Sequence, residues 1–490
     1  MSAELVEERP STDAVLSLSK DAGRVGTPLV VAIIGAGPSG IYAAEALSQQ
    51  TDVDVEIAVI DRLPVPFGLV RYGVAPDHHS IRSIRNTLER TLEKPSVRFY
   101  GDVTIGADLS IAELRESVDA VIYAYGAGTD RRLEIPGEDL QGSFAAAELV
   151  AWYCGNPDVH PDTDQPRASD HLMAAEVDEL ITRSRHAVVV GVGNVALDIA
   201  RILIKSVDQL TDTDMAEEVL ESLSRKSITD VHVLGRRGPA YTSFTTKELR
   251  EMGEIDDVDV IVDPADLQLD PSSQAVVEQN KIAARNMVVF QDWAARPLRG
   301  ASKRIRFHFW TRPTMIMGSD RVTAVEIERT MIDSAGYVVG VGGRQTLAAD
   351  LVVRSVGYRG LPLAGVPFDP STGRVPHAEG RVIRDAGFSP DEYVTGWIKR
   401  GPTGVIGTNK SDAVETVTSL LADLHDGALQ AHGRAGKLDR LLAERGIRPL
   451  GMPAWHRIDV AEIELGAKYG RLRTTLAHRR ELLAAAETDG

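Results

Sequence analysis

Gly35-Ala36-Gly37-Pro38-Ser39-Gly40 and Gly191-Val192-Gly193-Asn194-Val195-Ala196 are two glycine-rich loops, 156 residues apart in a 490-residue chain. Each is preceded by a short apolar run, Val30–Ile34 and His186–Val190, apolar enough to be a strand buried on both faces of a parallel sheet. Each is followed by a stretch of helical period, Ser39–Gln49 and Val195–Lys205. In such a unit the first glycine permits the tight turn, the second lets backbone approach a pyrophosphate, and the third allows close helix–strand packing. Phosphate then meets the free N–H groups and positive dipole of a helix N-terminus. Ala196 stands in the third place of the second loop, a replacement this pattern tolerates.

The residues further on separate the two units. The strand Val55–Ile60 ends in Asp61, 21 residues beyond Gly40. The strand Val231–Leu234 is followed by Arg236-Arg237. An acid there accepts hydrogen bonds from a ribose diol, whereas paired guanidinium forks suit a 2′-phosphate. Two cofactors are therefore expected: FAD at Gly35, Gly37, Gly40 and Asp61, and NADP at Gly191, Gly193, Arg236 and Arg237. The 45 residues from Gly191 to Arg236 exceed a minimal unit, and Ser206–Thr229 reads as a helical insertion, amphipathic over Ala216–Leu223.

The expected fold class is α/β, with two Rossmann-like dinucleotide-binding domains and C-terminal helices. The division expected is a disordered leader at 1–27, a discontinuous FAD-binding domain at 28–145 and 357–430, an NADP-binding domain at 146–356, and a helical region at 431–490. Asp119–Tyr125 reads as a third strand of the first unit. Leu351–Gly360 and Tyr393–Thr408 read as returns to that unit, before a helix at Ser411–Leu424. The leader is rich in acids and lacks an apolar centre, so neither a signal nor a transit peptide fits it. No apolar run reaches transmembrane length, and a cytoplasmic protein without membrane insertion is expected.

A net charge of −17 argues against a nucleic-acid partner. The single cysteine, Cys154, excludes an internal disulfide, a Cys-x-x-Cys redox pair and a cysteine-ligated cluster. It reads as a small buried hydrophobe beside Trp152 and Tyr153. No metal site is expected. Leu63–His79, LPVPFGLVRYGVAPDHH, holds three prolines and two glycines and reads as fixed irregular backbone suited to a flat ring. His78 is its candidate proton donor; the plainer alternative is an exposed loop histidine paired with Asp77.

LPVPFGLVRYGVAPDH, GVGNVALDIAR, GRRGP with FTTKELRE, VVRSVGYRG and GWIKRGPTGVIGTNK together resemble the adrenodoxin reductase-like ferredoxin–NADP reductases, from about Val30 to about Leu424. The resemblance implies FAD on two discontinuous segments, NADPH on the inserted domain, and electron delivery to a ferredoxin-type iron–sulfur protein. It implies FAD contacts from Gly35, Gly37, Ser39, Gly40, Asp61, Leu69 and Val103, with Trp397, Gly404, Val405 and Ile406 along the isoalloxazine. It implies NADP contacts from Asn194, Val195, Arg236, Arg237 and Glu248, with Gly404 close to the nicotinamide. His78 and Glu251 match a polar pair that the family places near nicotinamide and flavin. The chain departs from the family in having His79 where proline is common and Asp61 where glutamate is common.

With no thiol pair and no cluster ligands, electrons have no second internal centre to reach, so an external one-electron carrier is expected. Between Lys281 and Arg312 stand eight basic residues against the single acid Asp292. This stretch, with Arg250, is a candidate docking patch for an acidic carrier, Lys281 and Arg285 included. A flavin monooxygenase or an NADPH-reactive flavoprotein with another acceptor are the alternatives. The cysteine count excludes a thioredoxin reductase-like enzyme.

Overall fold

The computed structural model describes residues 27–162, 174–385 and 387–487. The expected leader lies, except for Thr27, outside the described residues. Seven strands form the first sheet, in the order His377–Ala378, Arg381–Arg384, Gly387–Val394, Ala120–Tyr123, Leu29–Ile34, Val55–Ile60, Val97–Tyr100. The last five of these run parallel. The second sheet has six parallel strands, Ser143–Ala145, Leu351–Arg354, His186–Val190, Asp230–Leu234, Lys303–His308 and Val258–Val262. In both sheets the strand entering the glycine loop lies in the interior. On one side it pairs with the strand leading to Asp61 or Arg236, and on the other with a strand from later in the chain. All six residues of Leu29–Ile34 are buried, as an all-apolar strand in a parallel sheet requires.

One expected boundary moves, and one strand read as a return to the first unit belongs to the second. Ser143–Ala145 pairs with Leu351–Arg354 in the second sheet, so the first unit ends before residue 143. Leu351–Arg354 itself lies in the second sheet beside His186–Val190, and the return begins only after it. Apolar composition marks Leu351–Arg354 as a strand but carries no record of which sheet takes it. The two crossings between units, Thr129–Asp130 and Tyr358–Arg359, pair with each other as a short antiparallel ladder. An antiparallel sheet, Thr311–Met317, Ala324–Ile332, Val338–Gly340 and Gln345–Ala348, is appended to the second unit. Leu63–His79 is less irregular than its prolines suggest, because Leu69–Tyr72 closes one helical turn.

The C-terminal region contributes three helices, Lys437–Glu444, Met452–Lys468 and Arg479–Glu487. The chain between the last two straps both units together. Arg471 donates to the Met215 carbonyl at 2.8 Å and the Thr475 N–H to the Asp214 carbonyl at 2.9 Å, both on the insertion of the second unit. On the other side Arg479 pairs with Asp102 of the first unit. The insertion thus supplies the seat for the strap; its helix Glu217–Ser224 also packs on Ala174–Arg183.

One ion pair of the strap, His478 with Glu218, makes stability depend on pH. The hydrogen bond to Glu218, 3.0 Å away, raises His478 from 6.5 to about 9. Hydrogen bonds from His160 and His478 hold Glu218 well below the usual carboxylate range. A raised imidazole stabilises the fold fully below its unfolded pKa and loses that contribution as pH climbs through the folded value. The depressed Glu218 contributes above its own unfolded pKa and loses that contribution on acidification. Both side chains are partly exposed, which keeps the effect small. His478→Gln is expected to lower the melting temperature by about a degree at about pH 6 and by much less at about pH 10, read by thermal unfolding of both proteins.

Candidate functional site

Both glycine loops obey one steric constraint. Gly35 has φ +112°, and a Cβ there would lie 2.6 Å from the Ala124 carbonyl oxygen of the adjacent strand end. Gly191 has φ +138°, and its Cβ would lie 2.0 Å from the Ser355 carbonyl oxygen. Neither position admits a side chain. The helices that follow, Pro38–Ser48 and Asn194–Ile204, have Gly37 and Gly193 as N-caps, with no side chain to bond the first-turn N–H groups. Elsewhere Ser110, Thr245, Asp270 and Asn280 cap their helices with side-chain oxygens. Two uncapped N-termini at the interior strands of two parallel sheets fit the phosphates of two dinucleotides.

In the first cradle Asp61 turns inward. One carboxylate oxygen accepts from the Ala36 N–H at 2.8 Å, and the other accepts from the Leu63 N–H at 3.0 Å. Burial raises its pKa, and these two bonds oppose the rise. Asp61 therefore braces the loop through two backbone N–H groups. The buried Val103 donates its N–H to the Asp61 carbonyl at 3.0 Å. Leu69 opens the short helix after Gly68, whose own Cβ would come 2.9 Å from the Gly37 Cα. Ser39 is tied across the unit, its hydroxyl donating to Asn409 Oδ1 at 2.9 Å.

In the second cradle Asn194 Oδ1 accepts the Thr245 N–H at 3.2 Å, joining the loop to the segment Thr245–Met252. Val195 is half-buried in the first turn. Arg236 and Arg237 are exposed directly after their strand, with no carboxylate partner among the described residues. The Arg237 guanidinium lies 5.4 Å from the Tyr241 ring centroid. Two unpaired guanidinium groups beside an uncapped helix form an anion site.

Between the cradles stands His78. It is 9% exposed, and its partner is not Asp77. Its Nε2 lies 2.9 Å from Asp198 Oδ1 and 2.8 Å from an Arg201 nitrogen, both on the helix of the second loop. Asp77 instead takes the Arg201 fork, at 2.7 and 2.9 Å, and Lys205 at 2.8 Å. Burial would raise the Asp77 pKa, but Arg201 and Lys205 hold it well below the usual range. Glu248, buried at the start of helix Thr246–Met252, bonds back to Thr245. Burial, then the charge of Asp198, raises its pKa, while His78 opposes the rise. Glu251 is on the next turn and is partly exposed, and it pairs with Lys247 at 3.8 Å.

The returning segment supplies the remaining wall. Trp397 packs on Tyr358, centroids 5.3 Å apart, so the crossing ladder touches the ring expected along the flavin. Gly396, at φ +78°, lies against Ser39: an added Cβ would be 2.2 Å from its hydroxyl. Asp412 accepts from the Gly396 N–H at 2.5 Å and pairs with Lys399 at 2.9 Å and Arg400 at 2.7 Å. Gly404, at φ +83°, leads through the exposed Val405 and the half-buried Ile406 to the helix Thr408–His425.

Sequence reading missed Asp198, Arg201, Asp412 and Tyr358. The first two had a signal: charges at i and i+3 on a helix otherwise apolar. Cys154 is inert, 2% exposed, its thiol pushed up to about 12 by burial. The basic stretch is divided. Arg299, Arg304 and Arg312 pair with Asp259, Asp230 and Glu328, and Lys303 donates to the Ile204 carbonyl. Lys281 and Arg285 stay exposed on helix Lys281–Ala295, without an ion-pair partner among the described residues.

The family model of pyridine nucleotide-disulphide oxidoreductases matches residues 29–264. The NADPH-ferredoxin reductase FprA of Mycobacterium tuberculosis is 43% identical over 472 residues, 93% of this chain and 98% of that protein. The mitochondrial NADPH:adrenodoxin oxidoreductase of Arabidopsis thaliana is 35% identical over 94% of this chain and 95% of its own length. The structure of Mycobacterium tuberculosis FprA in complex with NADPH superposes with a TM-score of 0.85 at 42% identity, covering 94% of this chain and all of that one. No described helix is long and apolar enough to cross a membrane.

Proposed function

The chain belongs to the adrenodoxin reductase-like NADPH-ferredoxin reductases, and from that premise we propose which residues hold each nucleotide and the electron acceptor. The protein is a flavin-dependent oxidoreductase that uses FAD and NADP and carries electrons from NADPH to a ferredoxin-type iron–sulfur partner. The observation that carries the residue assignment is the pair of glycine-capped, otherwise uncapped helix N-termini, one braced by Asp61 and one flanked by unpaired Arg236 and Arg237.

FAD is assigned to the first sheet, where Gly35, Gly37 and Gly40 would hold its pyrophosphate and the Leu63–His79 segment with Trp397 would line its ring. NADP is assigned to the second sheet, with its 2′-phosphate on Arg236 and Arg237. When bound, FAD supplies the chemistry that accepts a hydride and releases electrons one at a time. The chain aligns the two rings and excludes water from between them. The contact of His78 with Asp198 fixes the approach of the second unit to the first, within a wall that also holds Glu248. Hydride transfer requires no nucleophile from the protein, so His78 and Glu251 are assigned orienting roles.

The acceptor's docking surface is assigned to Arg250, Lys281 and Arg285. Helix Lys281–Ala295 packs against Thr246–Met252, which carries Arg250 on its exposed side and Glu248 on its buried one. A local basic surface beside the nicotinamide wall recruits an acidic carrier even though the chain as a whole is at −17.

Purified protein is expected to be yellow, to bleach on NADPH, and to reduce cytochrome c only when a ferredoxin is added; failure with ferredoxin present overturns the reading. Arg236→Ala/Arg237→Ala is expected to cut the NADPH-over-NADH ratio of kcat/KM by about 100-fold, through loss of charge-assisted bonds to one phosphate. An unchanged ratio sinks the assignment of those arginines. Arg250→Ala/Lys281→Ala/Arg285→Ala is expected to raise the KM for ferredoxin by about tenfold at low salt, with the NADPH KM unmoved and the difference fading as salt rises. A salt-independent KM in the parent protein refutes electrostatic docking.

A further inference from the structure

We propose that Glu462, on the C-terminal helix Met452–Lys468, is a positioning residue for the FAD cradle and acts through Arg71; the inference rests on the placement of FAD in the first unit. Glu462 is wholly buried and Arg71 is 4% exposed. One carboxylate oxygen of Glu462 accepts from Arg71 Nη1 at 3.1 Å and from Arg473 Nε at 3.2 Å. The other accepts from Arg71 Nη2 and from the Leu476 N–H, the latter at 3.0 Å. Arg71 is the third residue of the short helix Leu69–Tyr72.

The two residues before that helix are the reason the anchor matters. Phe67 has φ +85°, in the left-handed region that a residue with a large side chain seldom enters, and Gly68 follows at φ +49°. Such a conformation persists only where the surroundings over-determine it. Three contacts do so. The Phe67 N–H donates to the Ala36 carbonyl at 2.8 Å. Its ring meets Trp455 edge-on, centroids 5.3 Å apart at 82°. Just beyond it, Arg71 is pinned by Glu462. Gly68 in turn rests on Gly37, the N-cap of the uncapped phosphate helix. The route from Glu462 to the cradle is therefore a chain of direct contacts: Glu462 to Arg71, one helical turn to Phe67 and Gly68, and these to Ala36 and Gly37.

Trp455 and Glu462 stand on the same helix, which the first glycine unit cannot supply from its own sequence. The Arg71 guanidinium lies 5.6 Å from the Trp455 ring centroid, so the ion pair and the aromatic contact grip one short segment together. Removing the carboxylate leaves the buried Arg71 without its counter-charge and Arg473 with Asp459 alone. The segment then loses what keeps Phe67 in its strained conformation, and the loop against the pyrophosphate relaxes.

The test uses holoenzymes. Glu462→Gln keeps shape and removes charge; Arg71→Lys keeps the buried charge and removes the fork, and serves if the first variant does not fold. FAD release on dilution, followed by the rise of free-flavin fluorescence, is expected to quicken about tenfold or more in each variant, a loss of the size seen when the partner that orients a ligand is removed. The flavin-band circular dichroism is expected to change, while the Kd for NADP+ stays at the parent value. FAD release at the parent rate in every variant that folds overturns the proposal. So does a parallel loss of FAD and NADP+ affinity with a lowered melting temperature, which marks general damage. A parent protein that purifies without FAD, or variants that change only NADP+ binding, refute the placement of the cofactors instead.

Discussion

Arg201 carries a buried guanidinium from the second glycine-loop helix onto the loop at Asp77 and His78 within the first unit, and the facing of the two nucleotide units depends on it. Its fork grips Asp77, and one nitrogen also reaches Asp198 and His78. Removing one partner of such a buried pair typically costs about 3–5 kcal/mol, although replacing the whole pair with apolar groups is often neutral. The cluster is therefore better understood as a device for orientation than as a source of stability. Arg201 and Asp198 stand on one face of the helix whose N-terminus is assigned the NADP phosphates, and Asp77 and His78 end the segment assigned the flavin ring. Relative rotation of the units would separate four charged or polar groups at once.

The same steric rule shapes both cradles, and electrostatics tells them apart. A neighbouring strand's carbonyl occupies the place of a side chain at Gly35 and at Gly191. Glycine caps leave both helix N-termini open. Beyond that the units diverge. Asp61 turns back to brace its own loop, a reach that suits aspartate's short side chain, whereas Arg236 and Arg237 are exposed with no carboxylate partner among the described residues. The first cradle is built around an acid already bonded to backbone; the second presents free positive charge.

The C-terminal segment gives two otherwise silent regions a shared purpose. The insertion between Lys205 and Arg236 lengthens the second unit beyond what a nucleotide requires, and the last helices carry no chemical motif. In the fold the insertion receives the strap at Asp214, Met215 and Glu218, and the strap continues to Asp102 of the first unit. Glu462 and Trp455 reach the flavin-side segment from the same region.

Much of the fold was legible because its signals are local. All-apolar strands, closely spaced glycines, and an acid or an arginine pair at the next strand end are patterns along the chain that point to two nucleotides, although the carbonyls that exclude a side chain at Gly35 and Gly191 come from the distant Ala124 and Ser355. The single cysteine likewise settled the absence of an internal thiol relay. The sheet that takes Ser143–Ala145 or Leu351–Arg354, the partner of His78, the half of the basic stretch consumed in internal pairs, and the link from Glu462 to Arg71 were decided only by tertiary structure. Each joins residues whose separation in sequence bears no relation to their separation in space: 120 residues lie between His78 and Asp198, and 391 between Arg71 and Glu462. A charged residue in sequence declares what it can bind; burial and approach decide what it does bind.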